Sequence, residues 1–150
     1  KSINLTLSDS LIDRQLRSPF SSFITKNFIS VVGSIWSVKA CKAVGGWEPK
    51  YQLFGEWLFY LKILKAGGRI GYTRKTVAYY RRHSTNNSSF LSAGPQRKKY
   101  FSYALRCRTI AFNEAPKTKA NIAKYLRFSL KDIAHLCIPN IIYSIKGIKK

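Results

Sequence analysis

Six carboxylates stand among 150 residues, against 27 lysines and arginines. Two of the six, Glu48 and Glu56, share one short stretch, VGGWEPKYQLFGEW, beginning at Val44. Glu56 precedes Trp57 where the pattern turns helical. A carboxylate in the first turn of a helix is favoured by the macrodipole. The same carboxylate, on a rigid helix end beside an aromatic wall, could take a proton from an attacking hydroxyl. Spacing alone favours the first of these readings. Further on, the run Tyr80, Arg81, Arg82, His83 follows an apolar segment. Arg81 and Arg82 could clamp a phosphate, and His83 could bind phosphate or a metal ion; taken alone, a solvated turn is the simpler account of the three. His135 falls on the apolar side of a helical pattern and reads as structural.

Elements must hold these groups in place. Ser8 or Asp9 offers an N-cap ahead of Leu11, Ile12 and Leu16, which predicts a short helix. Residues 18–27 read as loop. Residues 28–38 are β-branched and aromatic and predict a buried strand interrupted at Gly33. A short helix follows, ended by Gly45 and Gly46. From Glu56, the residues Trp57, Tyr60, Leu61 and Leu64 share one helical face, and Gly67-Gly68 stops the run. Residues 69–72 and 76–82 predict two short strands about a turn at 73–75, and residues 83–89 a polar loop. Two basic amphipathic helices, over 96–112 and 117–136, come next, and residues 138–150 are apolar and then cationic. The expected organisation is therefore an α/β portion over residues 1–89 and a basic helical tail over 90–150.

An apolar fraction of 45% with nine tyrosines and nine phenylalanines argues against wholesale disorder. The formal charge of +21 attracts polyanions, whether nucleic acid, anionic lipid or phosphorylated small molecules. There is no zinc spacing, no RNP-like aromatic motif and no KH loop, which argues against nucleic acid. In the tail, Lys124, Arg127 and Lys131 recur at helical spacing beside Tyr125, Leu126, Phe128 and Leu130. Such a segment can lie in the interface of an anionic membrane, or pack as a bundle that shows its lysines to water. Cys41, Cys107 and Cys137 are odd in number and widely spaced, which predicts free thiols and a reducing compartment. No signal-peptide pattern and no bilayer-spanning apolar run is present. The chain starts at Lys1 and contains no methionine, so it is expected to be a piece of a longer translation product.

Taken in order, residues 27–89 resemble the C-terminal half of the catalytic domain of family 2 inverting glycosyltransferases, which have the α/β GT-A fold. That family has a strand and short helix leading to a Val-Gly-Gly-Phe-type turn with an acid behind it. An acidic pair and a tryptophan then open a helix that ends in glycine, and two strands follow, the second closing in Tyr-Arg-x-His. The matching residues are Gly45, Gly46, Trp47 and Glu48; Glu56 and Trp57; and Tyr80, Arg81 and His83. The resemblance implies a partial GT-A fold lacking its N-terminal Rossmann-like half, followed by basic helices.

It further implies sugar transfer from a nucleotide-diphosphate donor to a saccharide or lipid-linked acceptor, with inversion, in bacterial surface polysaccharide synthesis. Glu56 takes the place of the general base. Gly45, Gly46, Trp47, Glu48, Trp57, Arg81 and Arg82 fall at substrate-binding positions, and His83 at a metal-binding one. The complete enzyme would use a divalent ion, Mg or Mn, and would work in the cytoplasm, peripheral on the inner face of the plasma membrane. Two departures stand out: Gly55 replaces the first acid of the pair, and no metal-binding Asp-x-Asp occurs in the 150 residues. The chain alone is therefore expected to be inactive. The reading from a different class is a non-catalytic basic module that binds anionic membrane or nucleic acid.

Overall fold

A computed structural model describes residues 9–51, 54–73 and 97–137. Regular structure among the described residues is helical throughout: α1 (Asp9–Arg17), α2 (Pro19–Phe23), a 3-10 turn (Val31–Gly33), α3 (Val38–Ala43), α4 (Gly55–Lys65), α5 (Arg97–Glu114) and α6 (Lys119–Cys137). The α/β partial GT-A fold expected from the sequence is therefore overturned. Residues 28–38 contain the 3-10 turn rather than a buried strand, with Ile35 95% exposed. A strand needs a neighbour for its backbone groups. Here local bonds serve instead: Ser34 Oγ donates to the Ser30 carbonyl at 2.6 Å and pairs with the Tyr60 hydroxyl at 2.8 Å. Residues 69–72 also lack strand structure. The predicted strand over 76–82 lies outside the described residues.

The helical expectations fare better. Arg14 and Arg17 sit in the last turn of α1, where cations complement the dipole. α2 replaces an expected loop: Pro19 occupies its first turn, the position where a missing N–H costs nothing, and Phe23 enters the core. The Ser37 hydroxyl accepts the Ala40 N–H at 3.4 Å to cap α3. The helix then closes through Gly46 N–H to Cys41 C=O at 2.9 Å and Gly45 N–H to Lys42 C=O at 3.1 Å. Both glycines have positive φ, 73° and 68°; this paired closure is the Schellman motif, and the left-handed backbone favours glycine.

α4 is the centre of the molecule. Gly55, Trp57, Leu58, Phe59, Tyr60, Leu61 and Leu64 are all buried. Trp57, Leu58, Tyr60, Leu61 and Leu64 meet Phe23 and Ile24 from α2 and the turn after it, and Ala104, Cys107 and Ala111 from α5, in one core. The small inward residues of α5 recur at i, i+3 and i+7, and they leave room for the large side chains of α4. Thus α5, from the basic C-terminal part of the sequence, packs into the same core as the elements before it. Among the described residues no helix is long and apolar enough to cross a membrane.

α6 packs inward by a face that mixes aromatic and polar side chains, Tyr125 stacking on Phe112 at 4.3 Å. Asn121 Nδ2 donates to Ser21 Oγ at 2.9 Å and to the Pro116 carbonyl at 2.9 Å. Arg108 Nε donates to Asp132 Oδ2 at 2.7 Å, with both side chains nearly inaccessible. Arg108 Nη1 also donates to the carbonyls of Ile24, at 2.6 Å, and Thr25. Its guanidinium lies over the rings of Trp57 and Phe128, at 5.5 and 5.1 Å. One arginine therefore ties the end of α2 to α4, α5 and α6.

Candidate functional site

The stretch around Glu56 is assembled by aromatic packing. The Schellman turn at Gly45 and Gly46 sends the chain back, and Trp47 stacks on Trp36 at 5.8 Å and on Phe59 at 5.7 Å. Its indole presses on Gly55: a Cβ there would meet Trp47 Cζ2 at 2.7 Å and Nε1 at 2.8 Å. Residue 55 must be glycine for this approach, because real Cβ atoms do not come so close. Before it, Phe54 holds a left-handed backbone, φ 59° and ψ 17°, as the residue that starts α4. Its ring packs on Trp57 at 5.6 Å and Tyr100 at 4.6 Å, which offsets the cost of that conformation in a non-glycine residue.

Within this frame the two carboxylates have different surroundings. Glu48 is engaged: Oε1 is 2.8 Å from Lys62 Nζ and Oε2 is 3.1 Å from Lys50 Nζ. Hydrogen bonds from Lys62 first, and then Lys50, lower its pKa from the usual carboxylate value. The Lys62 bond fastens the Gly-Gly-Trp turn to α4. Glu56, in the first turn of that helix, is half-buried and makes no ion pair with a described residue. Its charge adds to the raised pKa of Tyr60, where burial is the main cause and the Ser34 hydrogen bond opposes it.

The structure thus brings Gly45, Gly46, Trp47, Glu48, Glu56 and Trp57 to one end of α4. Arg81, Arg82 and His83 lie outside the described residues. Among the described residues no group of three or more His, Cys, Asp or Glu side chains could hold a metal ion. Glu48 is bound to two lysines and Asp132 to Arg108. The three thiols are free.

Trp57 also borders an open cleft of about 510 Å³ between the loop after α2, the start of α4, and helices α5 and α6. Tyr100, Phe101 and Phe128 wall it, with Asn27, Lys26 and Lys131 supplying polar groups. Phe54 and Trp57 line it while Glu56 does not. Two residues that reasoning from sequence passed over, Arg108 and Asp132, lie at its edge. The available signal was weak: each falls on the inward side of its helical repeat, where a charge needs a partner. His135 has the structural place expected of it. It stacks on Phe101 at 4.2 Å and accepts, through its carbonyl, a bond from Arg97 Nη2. Burial, then the Arg97 charge, lowers its pKa.

Compared with protein-family models, curated proteins and solved structures, the chain gives no match.

Proposed function

We propose that this chain carries the acceptor side and the base of an inverting glycosyltransferase, with Glu56 as the base. The observation behind the proposal is the contrast between two acids in a strongly cationic chain. Glu48 is held by two lysines, whereas Glu56, half-buried at the start of a rigid buried helix, forms no ion pair among the described residues. A carboxylate that forms no ion pair among the described residues is suited to accept a proton rather than to stabilise the fold.

In the proposed step an acceptor hydroxyl hydrogen-bonds to Glu56, and its oxygen attacks the anomeric carbon of the donor. As the new C–O bond forms on one face, the bond to the nucleotide diphosphate breaks on the other and configuration inverts. The hydroxyl proton passes to the Glu56 carboxylate, and the electron pair of the broken bond leaves on the diphosphate. The base is held in register by Trp47 packed on Gly55 and by the Glu48–Lys62 pair. Arg81, Arg82 and His83 would serve the diphosphate, on the sequence pattern alone; no step here is routed through a metal ion. Three free thiols suit a reducing compartment, and the proposal sets the reaction in the cytoplasm, at the inner face of the plasma membrane, in polysaccharide synthesis on a saccharide or lipid-linked acceptor.

The test uses the polypeptide as its gene encodes it, assayed with a panel of nucleotide-diphosphate sugars. Glu56→Gln keeps the shape and removes the base, so kcat is expected to fall about 10²–10⁴-fold. Glu114→Gln, which removes an acid paired with Lys65 at the far end of α4, should leave kcat within a few-fold. Equal rates for wild type and Glu56→Gln, or no transfer from any donor, would refute the assignment.

A further inference from the structure

The cleft of about 510 Å³ beside Trp57 takes no part in the proposed proton transfer, since Glu56 does not line it. Its volume lies within the roughly 300–1,000 Å³ of small-molecule sites, which are apolar enclosures with a few polar groups that fix orientation. Phe54, Trp57, Tyr100, Phe101 and Phe128 all contribute to its wall. These rings brace one another: Tyr100 packs on Phe54 at 4.6 Å and on Phe101 at 5.1 Å, and Phe54 on Trp57 at 5.6 Å. Phe128 and Trp57 share the Arg108 guanidinium. The aromatic lining is therefore held in place by the packing of α4, α5 and α6.

The polar groups of the cleft have hydrogen-bond donors to spare. Asn27 spends its Oδ1 on the Ile29 N–H at 3.2 Å, which leaves the two N–H donors of its amide. Lys26 and Lys131 are exposed and form no ion pair with a described residue. The Tyr100 hydroxyl has no hydrogen-bond partner among the described residues. Burial, and then the Asp132 charge, raises its pKa, so it stays a phenol that can donate. Arg108, by contrast, is engaged by Asp132 and by the Ile24 and Thr25 carbonyls. Because that pair is mutually neutral, the lining keeps the charge of its two lysines. Spare donors with net positive charge suit an anion, and the rings suit a flat apolar body attached to it.

We propose that this cleft binds a small aromatic anion, a flat ring system bearing a carboxylate or a phosphate. The ring lies among Trp57, Tyr100 and Phe128, and the anionic group takes bonds from Lys26, Asn27 and Lys131. The proposal goes beyond the sugar-transfer reading and stands without it, because binding is measured with no sugar donor or acceptor present.

The experiment is equilibrium dialysis of the chain against naphthyl phosphate, naphthoate and naphthol, all substituted at the same ring position, and against inorganic phosphate. At least one naphthyl anion is expected to bind, and a difference between the two names the anionic group. Naphthol, which lacks the charge, should bind at least about tenfold more weakly. Inorganic phosphate, which lacks the ring, should also be at least about tenfold weaker. Lys26→Gln with Lys131→Gln should weaken the naphthyl anion at least about tenfold. Lys98→Gln with Lys99→Gln removes the same charge from exposed positions on α5 that do not line the cleft, and should change it less than about threefold. All four lysines are exposed, so the variants should keep wild-type helicity, checked by far-UV circular dichroism. Absence of binding by both naphthyl anions overturns the proposal. So does naphthol or inorganic phosphate binding as tightly as they do, or an equal loss in the two lysine pairs, which would reduce the effect to overall charge.

Discussion

Removing the Asp132 carboxylate is the perturbation that most directly tests how this fold is held. Asp132 and Arg108 are 3% and 9% exposed at their side chains, so neither charge has water to fall back on. Breaking such a pair from one side costs about 3–5 kcal/mol, because the surviving charge stays buried and uncompensated. That is a large share of the roughly 5–15 kcal/mol by which a domain is stable. In Asp132→Ala, Arg108 keeps its bonds to the Ile24 and Thr25 carbonyls, which should hold the loss near the lower end, about 3 kcal/mol. Asp132→Asn retains an acceptor without the charge and should lose about half as much. Arg108→Met should be the worst of the three. It leaves a buried carboxylate unpaired and strips the two carbonyls of their donor, each worth about 1–3 kcal/mol. Urea unfolding followed by tryptophan fluorescence and circular dichroism gives the three values; Trp57 beneath the guanidinium is a local reporter. A loss below about 1 kcal/mol in Asp132→Ala, or Arg108→Met milder than Asp132→Asn, would refute the reasoning.

The thiols and Glu48 give two further expectations. Burial pushes the Cys107 thiol up to about 12, and the residue is 3% exposed, so iodoacetamide should label exposed Cys137 first and Cys107 only on unfolding, at least about a thousandfold slower at neutral pH. Tryptic mass spectrometry reads the order, and early labelling of Cys107 would contradict its placement. For Glu48, the folded pKa lies below the usual 4.5. Its contribution is therefore complete above that value and fades as pH falls through the folded pKa. The stability gap between wild type and Glu48→Gln should be under about 1 kcal/mol at neutral pH and vanish in acid; a gap that widens on acidification would reverse the sign assigned to the Lys62 contact.

Much of the helical framework was legible in the sequence, for identifiable reasons. α4 declares itself by Trp57, Tyr60, Leu61 and Leu64 on one face and by glycine after it, and α3 by the Gly45-Gly46 stop. α5 and α6 are long and periodic, which is where pattern reading is strongest. The five residues of α2, PFSSF, are too few to show a period, and its sequence signal is Pro19 as a helix opener. The strand over 28–38 failed for another reason. A β-branched run says only that residues are stiff and apolar, and whether it becomes a strand depends on a neighbour to pair with. The Arg108–Asp132 pair spans 24 positions and two helices. Packing makes that contact, and no local spacing announces it. The facing of α6 was hidden likewise: the amphipathic pattern was plain, but its inward side mixes Tyr125 with Asn121, Ser129 and Asp132 and leaves Leu126 and Leu130 exposed.

The departure at Gly55 now has a physical reading. The pattern that the sequence resembles carries phenylalanine in the Gly-Gly turn and an acid before Glu56. This chain carries Trp47 and Gly55 at those places, and the two exchanges fit each other. The larger indole occupies the space into which a side chain at 55 would project, at 2.7 Å. Restoring an acid at 55 while keeping Trp47 would force the ring off Trp36 and Phe59, each such pair contributing about 0.5–1.5 kcal/mol beyond its buried area. Trp47 and Gly55 are one packing solution. A like charge next to Glu56 would disfavour its ionised form; with glycine there, that repulsion is absent. Of the two acids at this end of α4, Glu48 is held by Lys62 and Lys50, and Glu56 forms no ion pair among the described residues.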